Sequence, residues 1–213
     1  MMNLLKQIVE SLVAKDAEKV LELTVQAIQQ QIAPRDILDQ GLIAVMSIVG
    51  EQFRKHEIFL PDLLLASKAM YAGLEELKPL FARGEILTFG KVVIGTVHGD
   101  LHDIGKNLVS IMLKGAGFDV IDLGKDVPPE RFVEVAKKEE AKVIGMSALL
   151  TTTMPVMKKV IHLLREQELT GRIKTIIGGA CVTKNYAVEI GADAYGYDAA
   201  KAVEIVKDIF SKT

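Results

Sequence analysis

From residue 91 onward the chain alternates short apolar runs with helical patterns, and this alternation restricts the possible fold more than any other property. The run Lys91-Val92-Val93-Ile94-Gly95-Thr96-Val97 is apolar nearly throughout, without polar alternation, which marks a parallel strand buried on both faces. Phe118 to Leu123, Val143-Ile144-Gly145-Met146, Ile173 to Ile177 and a short run near Ala192 to Gly196 repeat that signature. Helical stretches separate them, among them Lys106 to Leu113, a helix opening at Pro129 and a last helix over Ala199 to Ser211. The pattern predicts an α/β domain: a flavodoxin/Rossmann-like five-stranded parallel sheet of order 2-1-3-4-5, with helices on both faces. In such sheets ligands bind beyond the carboxyl ends of the strands, where the first and third strands lie side by side.

The predicted strand exits carry the chain's chemistry. The first opens into Gly99-Asp100-Leu101-His102-Asp103-Ile104-Gly105, a loop that places a histidine two residues after a carboxylate. Such a histidine can give one ring nitrogen to a metal while the carboxylate accepts the proton on the other, setting tautomer and orientation. Gly105 leaves space for backbone or a cofactor to pass close by. The third strand runs into Ser147-Ala148-Leu149-Leu150-Thr151-Thr152-Thr153, and the fourth ends in Gly178-Gly179. The predicted strand order brings these three segments together. Simpler readings stand beside the functional ones: a surface Asp-His pair, and threonines that cap the following helix. His98 and His102 have the spacing of a helical zinc pair, but the strand exit places both on a loop. Cys181 reads as a packing residue or a redox thiol. His56 falls in a turn, His162 in a helix among apolar neighbours.

The first 83 residues differ, with four helical segments and no strand signal. Helix one covers about Asn3 to Ala14, helix two starts at an Asp16 N-cap, and Pro34 and Pro61 suit the first turns of helices three and four. Short connections predict an antiparallel four-helix bundle, with Leu12 and Leu21 in its core. The expected division is 1–83 as the helical domain, 84–90 as a linker bracketed by Gly84 and Gly90, and 91–213 as the sheet domain. Across all 213 residues the net charge is −2, and Lys137-Lys138 and Lys158-Lys159 do not extend into a basic patch, which argues against nucleic acid as a partner. No segment approaches the roughly 18 uncharged apolar residues of a membrane span. A start with Lys6 and Glu10 among leucines, and a single cysteine, suit a cytoplasmic protein.

The unbroken stretch Gly-Asp-x-His-Asp-Ile-Gly-Lys-Asn from Gly99 to Asn107 resembles the cobalt-binding signature of the cobalamin domains of methionine synthase and the methyltransferase corrinoid proteins. The bundle resembles the helical cap that precedes those domains, most clearly in Gly50-Glu51-Gln52-Phe53 and Ile58-Phe59-Leu60-Pro61. The resemblance implies that a cobalamin or related cobamide binds base-off, with its nucleotide tail in a slot between the strand exits. His102 is then the axial cobalt ligand, Asp100 its hydrogen-bond partner and Thr153 the hydroxyl behind Asp100, where methionine synthase has serine. Gly99, Leu101, Asp103, Ile104 and Gly105 belong to the same cofactor-binding loop. Ser147, Leu149 and Thr151, the Gly178-Gly179 pair, and Tyr195, Gly196 and Ala199 correspond to the tail-binding set. Phe53 and Leu60 match the pair that shields the methyl group; apart from the family they read as core residues.

The function so implied is a corrinoid methyl carrier. Its bound cobamide takes a methyl group as Co(I) from a substrate-specific methyltransferase. It delivers the group from methyl-Co(III) to an acceptor methyltransferase of tetrahydrofolate or coenzyme M type, and a reductive activation protein restores the metal. The chain has no recognisable substrate-activating site, so it is expected to be non-catalytic alone and to act as a subunit. A B12-dependent sensor, an adenosylcobalamin mutase subunit and a flavin-binding module remain as alternatives. Methanol, methylamines, quaternary amines and aromatic methyl ethers all remain open as donors.

Overall fold

The structure, a computed structural model, describes residues 2–80 and 88–212. The chain divides into two compact units: Met1–Leu87 with Lys114–Gly117, and Thr88–Leu113 with Phe118–Thr213. Residues 84–87 of the expected linker, Gly84 included, lie outside the described residues.

In the helical unit, α1 (Met2–Val13) and α2 (Ala17–Gln29) are joined by a turn in which Lys15 adopts φ 62°. Asp16 caps α2 by accepting from Lys19 N at 2.9 Å, as its position before an amphipathic run predicts. The third helical segment departs from the expected single α-helix. It runs as α3 (Pro34–Asp36), a π-helical stretch (Ile37–Ile43) and α4 (Ala44–Arg54). Periodicity does not reveal a π stretch, because its ends stay in phase with a helix while its backbone bonds shift by one residue. The last long helix is α5 (Leu60–Leu77). Ile8, Leu12, Leu23, Leu42 and Leu63 are buried within this unit, whereas Leu21, expected in the core, is exposed; Leu23 holds the inward place on α2.

The second unit is a parallel sheet of order β2-β1-β3-β4-β5, as the strand-helix alternation predicts. Its strands are β1 (Lys91–Thr96), β2 (Asp119–Asp122), β3 (Val143–Ser147), β4 (Lys174–Gly178) and β5 (Ala194–Tyr195). The helices are α6 (Ile104–Gly115), α7 (Pro129–Lys138), α8 (Pro155–Glu166), α9 (Lys184–Ile190) and α10 (Ala199–Ser211). One face of the sheet packs against α7, α8 and α9 through a cluster that includes Val93, Ile144, Ile177, Phe132, Met157 and Ile190. Gly95 is required there: a Cβ would sit 2.8 Å from the Phe132 ring. The register aligns Thr96 with Ser147 and Ser147 with Gly178, so the exits of β1, β3 and β4 end level with one another. Among the described residues no helix is long and apolar enough to cross a membrane.

Candidate functional site

The loop after β1 is held by one buried carboxylate. Asp100 is fully buried, and its Oδ1 accepts from His102 N at 3.1 Å and pairs with His102 Nδ1 at 2.8 Å. Its Oδ2 accepts from Leu149 N at 2.8 Å, Leu150 N at 3.2 Å and the Thr153 hydroxyl at 2.8 Å. Burial alone would push the Asp100 carboxyl up; the hydrogen bonds from Thr153, His102 and Leu149 outweigh it and hold the group well below the usual carboxylate range. An ionised Asp100 keeps the imidazole proton on Nδ1. Nε2 is then left with its lone pair, on a side chain about half exposed (51%).

Thr153 also lies 2.8 Å from Leu150 O, so its hydroxyl stands between the carboxylate and a backbone acceptor. It does not cap α8, whose N-cap residue, Met154, makes no side-chain cap bond. The capping reading of that threonine is thereby replaced by the Asp100 contact. Thr151 is exposed and is not among the residues lining the cleft described next.

Beside His102 opens a cleft of about 620 Å³, within the range of small-molecule and cofactor sites. It is lined by Leu101, His102, Asp103, Ile104 and Gly105 from the β1 exit, Ser147 and Leu149 from β3, Gly178 and Gly179 from β4, and Tyr195, Gly196 and Ala199 around β5. All of these belong to one unit. Gly179 takes φ +130°, where a Cβ would lie 1.9 Å from Ala148 O, so no other residue fits. A Cβ on Gly105 would meet nothing within 4 Å, which leaves open space above the start of α6. Tyr195 lines the cleft while its side chain also packs against the α7–α9 cluster. Gly99 and Asp100 stand behind the loop rather than in the cleft. Gly99, at φ +83°, donates to Asp126 Oδ1 at 2.7 Å.

Sequence reasoning missed several members. Ile94, Val109, Gly145, Ile176 and Ala202 line the cleft, and the Leu150 amide serves Asp100. Lys106 is buried within the motif. Its ammonium is held by Asp122 Oδ1 and Oδ2 at 2.6 and 2.5 Å and by Asn107 Oδ1 at 2.6 Å, which ties α6 to β2. The two histidines of the loop serve different carboxylates, since His98 Nδ1 pairs with Asp126 at 2.7 Å. His162 is exposed and pairs with Glu166 at 3.2 Å instead of facing apolar neighbours. Burial pushes the Cys181 thiol up, so it packs as a neutral thiol with Sγ 3.7 Å from Ala148 O.

In the helical unit Phe53 is half-buried and Leu60 exposed, next to exposed Phe59, Leu64 and Leu65. This is not the burial of ordinary core residues. Asp62 fixes the turn before them by accepting from Phe59 N at 3.0 Å and from Lys15 Nζ at 2.5 Å.

The geometry suits a metal-bearing cofactor: an imidazole oriented through Nδ1 by a buried carboxylate, at the edge of a cleft with a glycine-rich floor. Comparison with known proteins agrees. One B12 binding domain family matches residues 90–205, and a second B12 binding domain family matches residues 4–78. The chain is 42% identical over 207 residues to dimethylamine corrinoid protein 3 of Methanosarcina acetivorans, covering 97% of each. It is 43% identical over 194 residues to trimethylamine corrinoid protein 1 of Methanosarcina mazei, covering 90% of each. Its fold matches the crystal structure of the methanol:cobalamin methyltransferase complex MtaBC from Methanosarcina barkeri with a TM-score of 0.89 at 32% identity, covering 99% of this chain and 81% of that one. Matched in both its helical and its α/β part, the chain belongs to the B12-binding corrinoid protein family.

Proposed function

We propose that this protein is the methyl-carrying corrinoid subunit of a cobamide-dependent methyltransferase system. The observation that carries this reading is the pairing of His102 Nδ1 with buried Asp100, beside a cleft with room for a nucleotide tail. When bound, the cobamide supplies cobalt, whose reduced state accepts a methyl group and whose methylated state gives it to a second acceptor. The protein's residues bind, orient and protect. His102 offers Nε2 as the axial ligand in place of the lower base. Asp100 keeps the other ring proton on Nδ1, and the Thr153 hydroxyl supports Asp100 from behind. Leu101, Asp103, Ile104, Gly105, Ser147, Leu149, Gly178, Gly179, Gly196 and Ala199 receive the tail. Phe53 and Leu60 form an apolar shield for the methyl group, a role supported by the incomplete burial of Phe53 and the exposure of Leu60 beside Phe59, Leu64 and Leu65.

The working division is a cap over 1–83, a linker over 84–90 and a cofactor domain over 91–213. Its partners are a substrate-specific methyltransferase, an acceptor methyltransferase of tetrahydrofolate or coenzyme M type, and a reductive activator. Among donors, methylamines and methanol have the support of the named relatives. The test is reconstitution of purified protein with cobalamin. Wild type is expected to show a histidine-ligated, base-off absorbance spectrum, and His102→Ala to keep the cofactor through the cleft but lose that spectrum. An unchanged axial ligand in the variant overturns the assignment.

A further inference from the structure

We infer that the inner end of the cleft selects among cobamides by the polarity of their lower base, favouring an apolar aromatic base whether or not that base can coordinate cobalt. This rests on the reading of the cleft as the tail slot. The register sets Ile94, Gly145 and Ile176 in one row across β1, β3 and β4, two residues below the row of Thr96, Ser147 and Gly178 at the strand exits. Both rows face away from the Phe132 cluster, because the residues alternating with them, such as Val93, Ile144 and Ile177, belong to it. Gly145 has no side chain between two isoleucines, so the inner row dips at its central strand. A Cβ there would find its three nearest neighbours in Ile94, at 3.3 to 3.8 Å. Val109 of α6 and Ala202 of α10 also line the cleft.

This end of the cleft is thus apolar, and the polar groups elsewhere along it stand at the mouth or are already engaged. His102, Asp103 and Ser147 belong to the exits of β1 and β3, Tyr197 and Asp198 follow the exit of β5, where Asp198 Oδ1 accepts from Lys201 N at 2.7 Å, and the Lys106 ammonium is taken by Asp122 and Asn107. β1, β3 and β4 pair in parallel along this row, and backbone groups beside it are also engaged: Ile94 O accepts from Leu123 N, and Thr175 N donates to Asp193 Oδ2. An exocyclic amine or a row of ring nitrogens pressed into this end finds no partner, and a buried polar group without one is disfavoured. Selection of this kind is graded: an apolar site discriminates against one added polar group by about 10–100-fold. Because His102 presents its own nitrogen, the lower base needs none.

The experiment titrates the full chain with four probes and reads affinity and axial ligation by absorbance. The probes are cobalamin, a cobamide whose base is p-cresol, a cobamide whose base is adenine, and cobinamide, which has no base. The expected order is p-cresolyl at least as tight as cobalamin, adeninyl about 10–100-fold weaker than cobalamin, and cobinamide weakest, all four with the histidine-ligated spectrum. Gly145→Val, or Ala202→Leu if the first variant does not fold, should bring cobalamin affinity down towards that of cobinamide while leaving cobinamide binding unchanged. Equal affinity for adeninyl cobamide and cobalamin, or p-cresolyl binding no tighter than cobinamide, overturns the inference and leaves the cofactor assignment standing. Cobalamin binding no tighter than cobinamide, or loss of histidine ligation with every probe, overturns the tail-slot or axial-ligand reading itself.

Discussion

Replacing Asp100 with asparagine tests the site at its most heavily used side chain. The amide can keep an oxygen toward Leu149 N, Leu150 N and Thr153 Oγ1, which leaves its NH2 facing His102. The opposite orientation would set the NH2 against three donors and is the costlier one. In the favoured orientation the His102 backbone N–H, 3.1 Å from Oδ1 in the native protein, meets a donor. One partly buried N–H without an acceptor costs about 1–3 kcal/mol. The larger consequence is chemical. The new NH2 donates to His102 Nδ1, so the ring proton moves to Nε2, the nitrogen proposed above for coordination. Losing the carboxylate behind a metal-binding histidine typically costs about 10–100-fold in affinity or activity. Asp100→Ala is a poorer probe. It strands the Leu149 and Leu150 amides together, at about 1–3 kcal/mol each, against a total stability of about 5–15 kcal/mol. The assay pairs a thermal melt of cofactor-free Asp100→Asn with an absorbance titration of histidine ligation after cobalamin loading. A folded variant whose ligation equilibrium matches wild type would refute the argument that Asp100 sets the tautomer.

Gly105→Ala should leave stability unchanged or raise it by up to about 1 kcal/mol, since the added methyl touches nothing and α6 gains a better helix former, yet it should weaken cobamide binding; Gly179→Ala should fail to fold stably. Unchanged affinity in a folded Gly105→Ala would show that the open space there is not the cofactor's. The Lys15 hydrogen bond, then that of Phe59 N–H, holds the Asp62 carboxyl below its ordinary value. Its contribution to stability is therefore fully present above the unfolded value of about 3.9 and is lost as pH falls through the lowered folded value. The difference in Tm between wild type and Asp62→Asn should accordingly shrink below about pH 4, and a constant difference would refute the Lys15 pairing. Replacing Phe53 and Leu60 together with alanine should speed light-driven methyl loss from reconstituted protein, while Leu23→Ala, a buried control in the same unit, should lower Tm without that effect. Equal photolysis rates in the two variants would reduce the shield to bundle instability.

Much of this protein is legible one segment at a time. The five strands, their 2-1-3-4-5 order and the helical character of residues up to 80 follow from apolar periodicity, which reports how a local stretch buries its side chains. The His102–Asp100 pair is equally local, two residues apart on one loop, and the Asp16 cap needs only the next turn of chain. Tertiary structure decided what reaches across. Leu149, Leu150 and Thr153 meet Asp100 from 49 to 53 residues away because the register of β3 on β1 levels Ser147 with Thr96. That same register, and not composition, brings Thr153 to the carboxylate and leaves Thr151 exposed. It also sets Gly145 between Ile94 and Ile176 to form the cleft floor. Side-chain direction along a strand alternates with every residue, so a single step of register reassigns a group from cleft to core. A sequence read segment by segment carries the alternation, while the step is set only when the strands pair.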